Sequence, residues 1–167
     1  MRRLVSIIGS AVFLVIAPGT VAVLVPRWIS GWRLSPPLLA FVGFRIIGVL
    51  LAVCGAVGLV DSFARFAIQG LGTPAPPMPT KHLVVSGLYR YVRNPMYVGV
   101  FSMIVGQGLL FGNVRVLRYG VAVGIAFALF VVLYEEPTLR RTFGPEYDEF
   151  CAHVPRWIPH LRPWRRR

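Results

Sequence analysis

YVGVFSMIVGQGLLFGNVRVLRYGVAVGIAFALFVVLY, residues Tyr97–Tyr134, is two apolar runs around a short polar break. Tyr97–Gly112 and Tyr119–Tyr134 carry no charged residue, and Asn113–Arg118 joins them tightly. In lipid every backbone polar group must be satisfied internally, so two such runs predict a helical hairpin across a bilayer. Each run is 16 residues, shorter than the roughly 20 that span the hydrocarbon core, so flanking residues or local thinning must help. Gly108 and Gly112, and Gly120 and Gly124, lie four apart on the two runs, a spacing that lets helices approach closely.

The pattern repeats upstream. Leu4–Val25 is an apolar run of 22 residues, which Pro18-Gly19 is expected to kink. It exceeds the h-region of a signal peptide, about 7–15 residues, and reads as a retained span. Leu38–Val60 is a second span, interrupted by Arg45, whose expected partner is Asp61, a carbonyl or the outer interface. The predicted fold is an all-α integral membrane protein, a single domain over 1–167. It has about four transmembrane helices near 4–25, 38–60, 97–112 and 119–134, the last two a hairpin, and then a cytoplasmic amphipathic helix and tail.

Composition agrees. Hydrophobic residues make up 56% of the chain and charged residues 14%, with mean hydropathy +0.66; soluble domains carry about 25% charged residues. The net charge of +12 does not point to nucleic acid, because the charges avoid the apolar runs and collect between them. With the N-terminus in the cytoplasm, Arg2, Arg3, Arg65, Lys81, Arg90, Arg93, Arg140, Arg141, Arg156, Arg162 and Arg165–Arg167 lie inside. Only Arg27, Arg33, Arg115 and Arg118 lie outside. The positive-inside rule then puts both termini in the cytoplasm, together with the polar blocks 61–96 and 135–167. Cys54 and Cys151 fall on different sides of the bilayer boundary, so no disulfide is expected. His82, His153 and His160 lack metal-ligand spacing.

Chemistry concentrates in the two blocks. In Arg93-Asn94-Pro95, the proline suits the first turn of a helix and Asn94 falls at its N-cap, where its side chain can accept from free amides. With Arg93 this makes a site for a carboxylate or phosphate, or else a plain helix start. Glu135-Glu136 are two of only six acids and sit where a span is predicted to end. A helix C-terminus disfavours anions, so the pair is expected to meet a cationic ligand or a structural arginine. Phe143, Tyr147, Phe150 and Val154 form one apolar stripe of a short helix, either interfacial or facing inward at Tyr147. Val154-Pro155-Arg156-Trp157-Ile158-Pro159 is stiff at both prolines, and can wall a pocket with Arg156 or present it to lipid phosphates. Gly70–Pro79, with four prolines, reads as an extended connection. An anion site, carboxylates and rings at a bilayer surface suit a zwitterionic, cationic cofactor with an aromatic base, such as S-adenosylmethionine. No G-x-G-x-x-G follows a strand pattern.

These residues resemble the membrane methyltransferase superfamily that includes isoprenylcysteine carboxyl methyltransferases and phospholipid N-methyltransferases. The resemblance rests on Gly87, Tyr89, Arg93, Asn94, Pro95, Tyr97 and Gly99; on Glu135, Glu136, Leu139, Phe143, Gly144 and Tyr147; and on Val154, Pro155, Arg156 and Pro159. It implies an S-adenosylmethionine pocket at the cytoplasmic ends of the last two spans, with Val85, Gly87, Tyr89, Arg93, Asn94, Pro95, Tyr97, Glu135, Glu136 and Pro155 on the cofactor. Glu136, Arg156 and Tyr147 are implied at the chemistry. It also implies a lipophilic methyl acceptor (carboxylate, thiol or amine) that enters from the membrane lipid. Many relatives carry His where Asn94 stands; Asn holds no proton to exchange, so no acid/base role is expected there. The alternative is a non-catalytic protein of the same fold that binds lipid or a partner.

The charge asymmetry generates a first prediction. Single cysteines replacing Thr80 and Pro145 will be labelled from the cytoplasmic side only; labelling of either from outside sealed cells would reverse the topology.

Overall fold

The computed structural model describes residues 2–69 and 82–165, and these are helical without a strand. The proline-rich Gly70–Pro79 connection lies outside the described residues. The helices are α1 (Arg2–Gly19), α2 (Val25–Ser30), α3 (Gly43–Gln69), α4 (Pro95–Leu110), α5 (Val114–Phe130), α6 (Glu136–Phe143) and α7 (Pro145–His153). Wide π-turns, Thr20–Leu24 and Val131–Glu135, run α1 into α2 and α5 into α6. Three continuous stretches are long and apolar enough to cross a membrane: Ile7–Ser30, Gly43–Gln69 and Val114–Phe143, of 24, 27 and 30 residues. The fourth expected span, α4, is an apolar helix of 16 residues.

The helices run past the ends that charge alone suggested. α3 starts at Gly43 rather than Leu38 and continues through Asp61 and Arg65, which form an i,i+4 ion pair at 2.8 Å. α5 begins at Val114, so Arg115 and Arg118 are helical rather than part of the joint. The Asn113 side chain caps it, accepting from the amides of Arg115 and Val116. Arg45 donates to the Ser35 carbonyl at 2.7 Å, one of its expected partners.

Each π-turn stands just before a proline. Pro26 has no N–H to give the Ala22 carbonyl four residues back. Gln107 Nε2 on α4 donates there instead, at 2.6 Å. The Val25 amide bonds to Thr20, which leaves the Val21 carbonyl for the Tyr119 hydroxyl of α5, at 3.0 Å. Two backbone acceptors exposed by one wide turn thus anchor the first helix to the hairpin. That is how proline is accommodated in apolar surroundings. α1 runs through Pro18-Gly19, where a kink was expected, and the π-turn begins at Thr20.

The tightest packing is between α3 and α4, not within the hairpin. A Cβ on Gly55 would lie 2.7 Å from the Gly99 carbonyl oxygen, and one on Gly106 would lie 2.6 Å from the Gly48 carbonyl oxygen. Gly108, Gly120 and Gly124 do face across the hairpin, but onto the side chains of Leu117, Ile104 and Phe101. Gly112 ends α4 at φ +63, against the Pro36 carbonyl.

At one end of the bundle the chain folds back on itself. Gly144 breaks the helix with φ 52 and ψ −127, a conformation open to glycine, and turns α7 away from α6. Tyr147, Phe150 and Val154 become a buried cluster against Leu83, Val85, Leu139 and Phe143. The predicted apolar stripe is therefore core, not an interfacial face. The tail then pairs with residues 90–93 through the backbone: Arg93 N–H to Pro155, His160 N–H to Tyr91 and Trp164 N–H to Arg90, at 2.9–3.0 Å.

Because backbone cannot yield as a side chain can, Gly106→Ala will destabilise the detergent-solubilised protein by about 1–3 kcal/mol. Gly19→Ala, whose added Cβ lies 3.6 Å from the Leu14 carbonyl oxygen, will not. Paired thermal melts check this; equal melting temperatures would show that the α3–α4 contact tolerates spreading.

Candidate functional site

The polar end encloses a cavity of about 600 Å³, within the usual range of ligand pockets. Polar side chains, Tyr89, Arg93, Asn94, Glu135, Thr138 and Tyr147, line it together with apolar ones that include Phe13, Leu59, Phe63 and Val100. The rings of Tyr97, Phe127 and Phe130 line it as well. α1 contributes Phe13 to the wall, and α5 contributes Ala126 and Phe130, both exposed.

Glu135 and Glu136 are adjacent in sequence but do different things. Glu136 turns away from the cavity and into the protein, with its side chain 10% exposed. Arg156 binds it through two parallel bonds, Nε to Oε1 at 2.6 Å and Nη2 to Oε2 at 2.9 Å. Arg93 adds a third contact at 3.3 Å. Glu135 lines the cavity and accepts from the Tyr97 hydroxyl at 2.6 Å. The structural arginine expected for the acid pair is thus Arg156, joined by Arg93, and it serves Glu136 alone. The span does not end at the pair: after its π-turn the helix continues to Phe143.

Arg93 is almost wholly buried and lines the cavity. One terminal nitrogen serves Glu136 and Cys151, while its Nε has no protein partner. An unpartnered buried donor is costly unless a ligand meets it. Asn94 departs from expectation. Its side chain makes no cap bond to α4 but donates from Nδ2 to the Arg156 carbonyl at 3.1 Å. The tail, pressed against residues 90–94, has taken that side chain. The Tyr147 and Tyr89 phenols are both raised above the usual range, chiefly by burial, then by nearby acidic groups. Both are donors near neutral pH and neither is a base. The Arg156 guanidinium is raised by its bonds to Glu136 and stays charged.

Of the thirteen role assignments made from the sequence, those for Tyr89, Arg93, Asn94, Pro95, Tyr97, Glu135 and Tyr147 fall on the cavity wall. The others lie behind it. Val85 packs on the Tyr147 cluster, Gly87 lies under the Arg65 guanidinium at φ +54, and the Pro155 carbonyl receives the Arg93 amide. Glu136 and Arg156 pair with each other. Phe127, Phe130, Tyr134 and Thr138 were not singled out, though their spacing of three, four and four marks one helix face. Nor were Phe13, Leu59 and Phe63 on the first two long helices. Among the described residues no group of three His, Cys, Asp or Glu side chains converges as a metal site would require.

Residues 44–146 match the phospholipid methyltransferase family. Among curated proteins, the chain is 32% identical over 136 residues to a protein-S-isoprenylcysteine O-methyltransferase of Schizosaccharomyces pombe, covering 80% of this chain and 54% of that protein. The human protein of the same name is 32% identical over 50% of this chain and 29% of its own. The cobalt-zinc-cadmium resistance protein CzcN of Cupriavidus metallidurans is 30% identical over 83% of this chain and 56% of its own. The chain thus spans about half the length, or less, of these relatives. No solved structure matches at a significant level. Matched over more than half its residues, and aligned over four-fifths of them with a protein-S-isoprenylcysteine O-methyltransferase, the chain belongs to the phospholipid methyltransferase family.

Proposed function

We propose that the chain is an integral-membrane methyltransferase that takes its methyl group from S-adenosylmethionine and gives it to a lipophilic acceptor. The observation that carries this reading is the mixed lining of one cavity: among the described residues, one acid and one arginine share its wall with many apolar side chains of α1, α3 and α5. The donor set fits the cofactor. Arg93 on the wall offers its guanidinium to a carboxylate, Glu135 offers a carboxylate to a cation, and Tyr89 and Tyr147 add hydroxyl donors. Bound there, the cofactor would supply an activated methyl group on a sulfonium.

The protein then has to position and to exclude water. Tyr147 and Phe150, carried by α7, line the cavity, and the Glu136–Arg156 pair holds the tail that follows α7. The acceptor comes from the bilayer between α1 and α5, and its reactive head meets the polar side chains. Among the described residues no histidine lines the cavity. Tyr89 and Tyr147 stay protonated, Glu136 is occupied by two arginines, and Glu135 is assigned to the donor's cation. An acceptor that needs no base, a carboxylate or a thiolate, suits this wall better than an ammonium, which must lose a proton first. In this reading both termini and both polar blocks are cytoplasmic, Glu136 and Arg156 position other groups, and Tyr147 is the one of the three near the chemistry.

Transfer of labelled methyl to acceptors sharing one apolar tail tests the reaction. The carboxylate and thiol will be methylated and the amine will not; labelling of the amine alone would overturn the base-free reading, and no labelling at all would favour a lipid-binding protein of this fold.

Glu135→Gln will weaken S-adenosylmethionine binding about 10- to 150-fold, the loss of a charge-assisted bond. Arg141→Ala, on an exposed face, will leave it unchanged. Glu136→Gln will instead lower stability by about 3 kcal/mol, because it leaves Arg93 buried without its counter-charge. Titration and melting of one detergent preparation separate the two acids. A binding defect at Glu136→Gln without a change in melting would reverse the assignment.

A further inference from the structure

We infer that Tyr97, Phe127 and Phe130, with Glu135 beside them, form an aromatic box that grips the donor's positive sulfonium and releases the neutral thioether left after transfer. The inference rests on the donor assigned above. The three rings share the cavity wall with Glu135. The Tyr97 centroid lies 4.8 Å from that of Phe127, with the planes at 53°, and 6.5 Å from that of Phe130, at 61°. Rings so inclined do not stack flat; they present faces and edges around a corner. Tyr97 also carries the Glu135 carboxylate at its hydroxyl, at 2.6 Å. Among the described residues Glu135 is the one acid on the cavity wall.

The chemistry selects the ligand. A sulfonium is a full positive charge without an N–H or O–H, so hydrogen-bond acceptors cannot hold it directionally. Ring faces and a nearby carboxylate can, through charge and quadrupole. Transfer forms a bond from the acceptor's lone pair to the methyl carbon and breaks the carbon–sulfur bond, whose electron pair stays on sulfur. The charge facing the rings then vanishes. The box favours the ground state at least as much as the transition state, so it contributes affinity and product release rather than rate of the chemical step.

The test measures binding, not turnover. S-adenosylmethionine and S-adenosylhomocysteine are titrated calorimetrically into the detergent-solubilised parent, Phe127→Leu, Phe130→Leu and Phe127→Tyr, with melting temperatures recorded. Leucine keeps apolar bulk without a quadrupole. The box predicts that each Leu variant loses about 2- to 30-fold in affinity for the sulfonium and less than 2-fold for the thioether, and that Phe127→Tyr restores the difference. Equal losses for both ligands would make the rings an apolar wall, and no loss for either would place the sulfonium elsewhere; both outcomes overturn the box while leaving the donor assignment standing. Failure of the parent to bind either ligand would overturn that assignment and the box with it.

Discussion

A single buried carboxylate ties together the three parts of the chain that make the polar end. Glu136 stands on the long last helix, Arg93 precedes α4, and Arg156 belongs to the tail. Taking an acid out of water costs several kcal/mol, and a lone partner rarely offsets it. Here two guanidiniums converge, one of them through a planar two-bond match that lysine could not make. The reward is specificity of arrangement. With Arg156 fixed, its carbonyl takes the Asn94 side chain, the neighbouring Pro155 carbonyl takes the Arg93 amide, and α7 is held with Tyr147 and Phe150 against the cavity.

That arrangement frees the neighbouring acid. On an uninterrupted α-helix Glu135 and Glu136 would differ by one step of about 100°. The π-turn at Val131–Glu135 adds a residue to the turn immediately before them, and the Glu136 amide bonds back five residues to Val131. π-turns often mark functional positions. In this chain both precede a proline by the same interval, Thr20–Leu24 before Pro26 and Val131–Glu135 before Pro137. The first offers carbonyls to Gln107 and Tyr119 and so fixes the bundle. The second sits where one acid faces the cavity and the next faces the tail.

The apolar runs were legible because hydropathy is a local property of sequence. Their ends were less so. Asp61 and Arg65 read as a boundary until their i,i+4 pairing is seen, and Arg115 and Arg118 read as a loop until Asn113 is seen to cap a helix through them. Glycine spacing misled for a similar reason. The i,i+4 pairs of the hairpin were visible, while the contact that packs closest uses Gly48, Gly55, Gly99 and Gly106, each pair seven apart on its own helix. The two polar blocks stood out by density of charge and ring. Which members face a ligand did not, since Glu136 is separated from Arg156 by 20 residues and only folding brings them together. Phe13, Phe63 and Phe127 were hidden among side chains that look lipid-facing, because a cavity wall in a membrane protein and a lipid contact use the same residues.

If the chain is the methyltransferase proposed above, this last point bears on how it chooses an acceptor. In water an apolar pocket gains specificity from burial itself, whereas in lipid a tail gains little by moving from hydrocarbon to a ring of Phe and Leu. Selection must then come from what the tail carries. On the proposed reading, the apolar side chains of the cavity admit many lipophiles, and the decision falls near Tyr97 and Glu135, where a head group meets the raised phenols of Tyr89 and Tyr147 and, among the described residues, no histidine. A head that arrives as an ammonium brings protons and a second cation to a site already matched to one. A head that arrives as an anion has no proton to shed and comes with its lone pair free. On that reading, discrimination between acceptors follows from the charge on the cavity wall, and the greasy remainder of the fold serves to bring the head there dry.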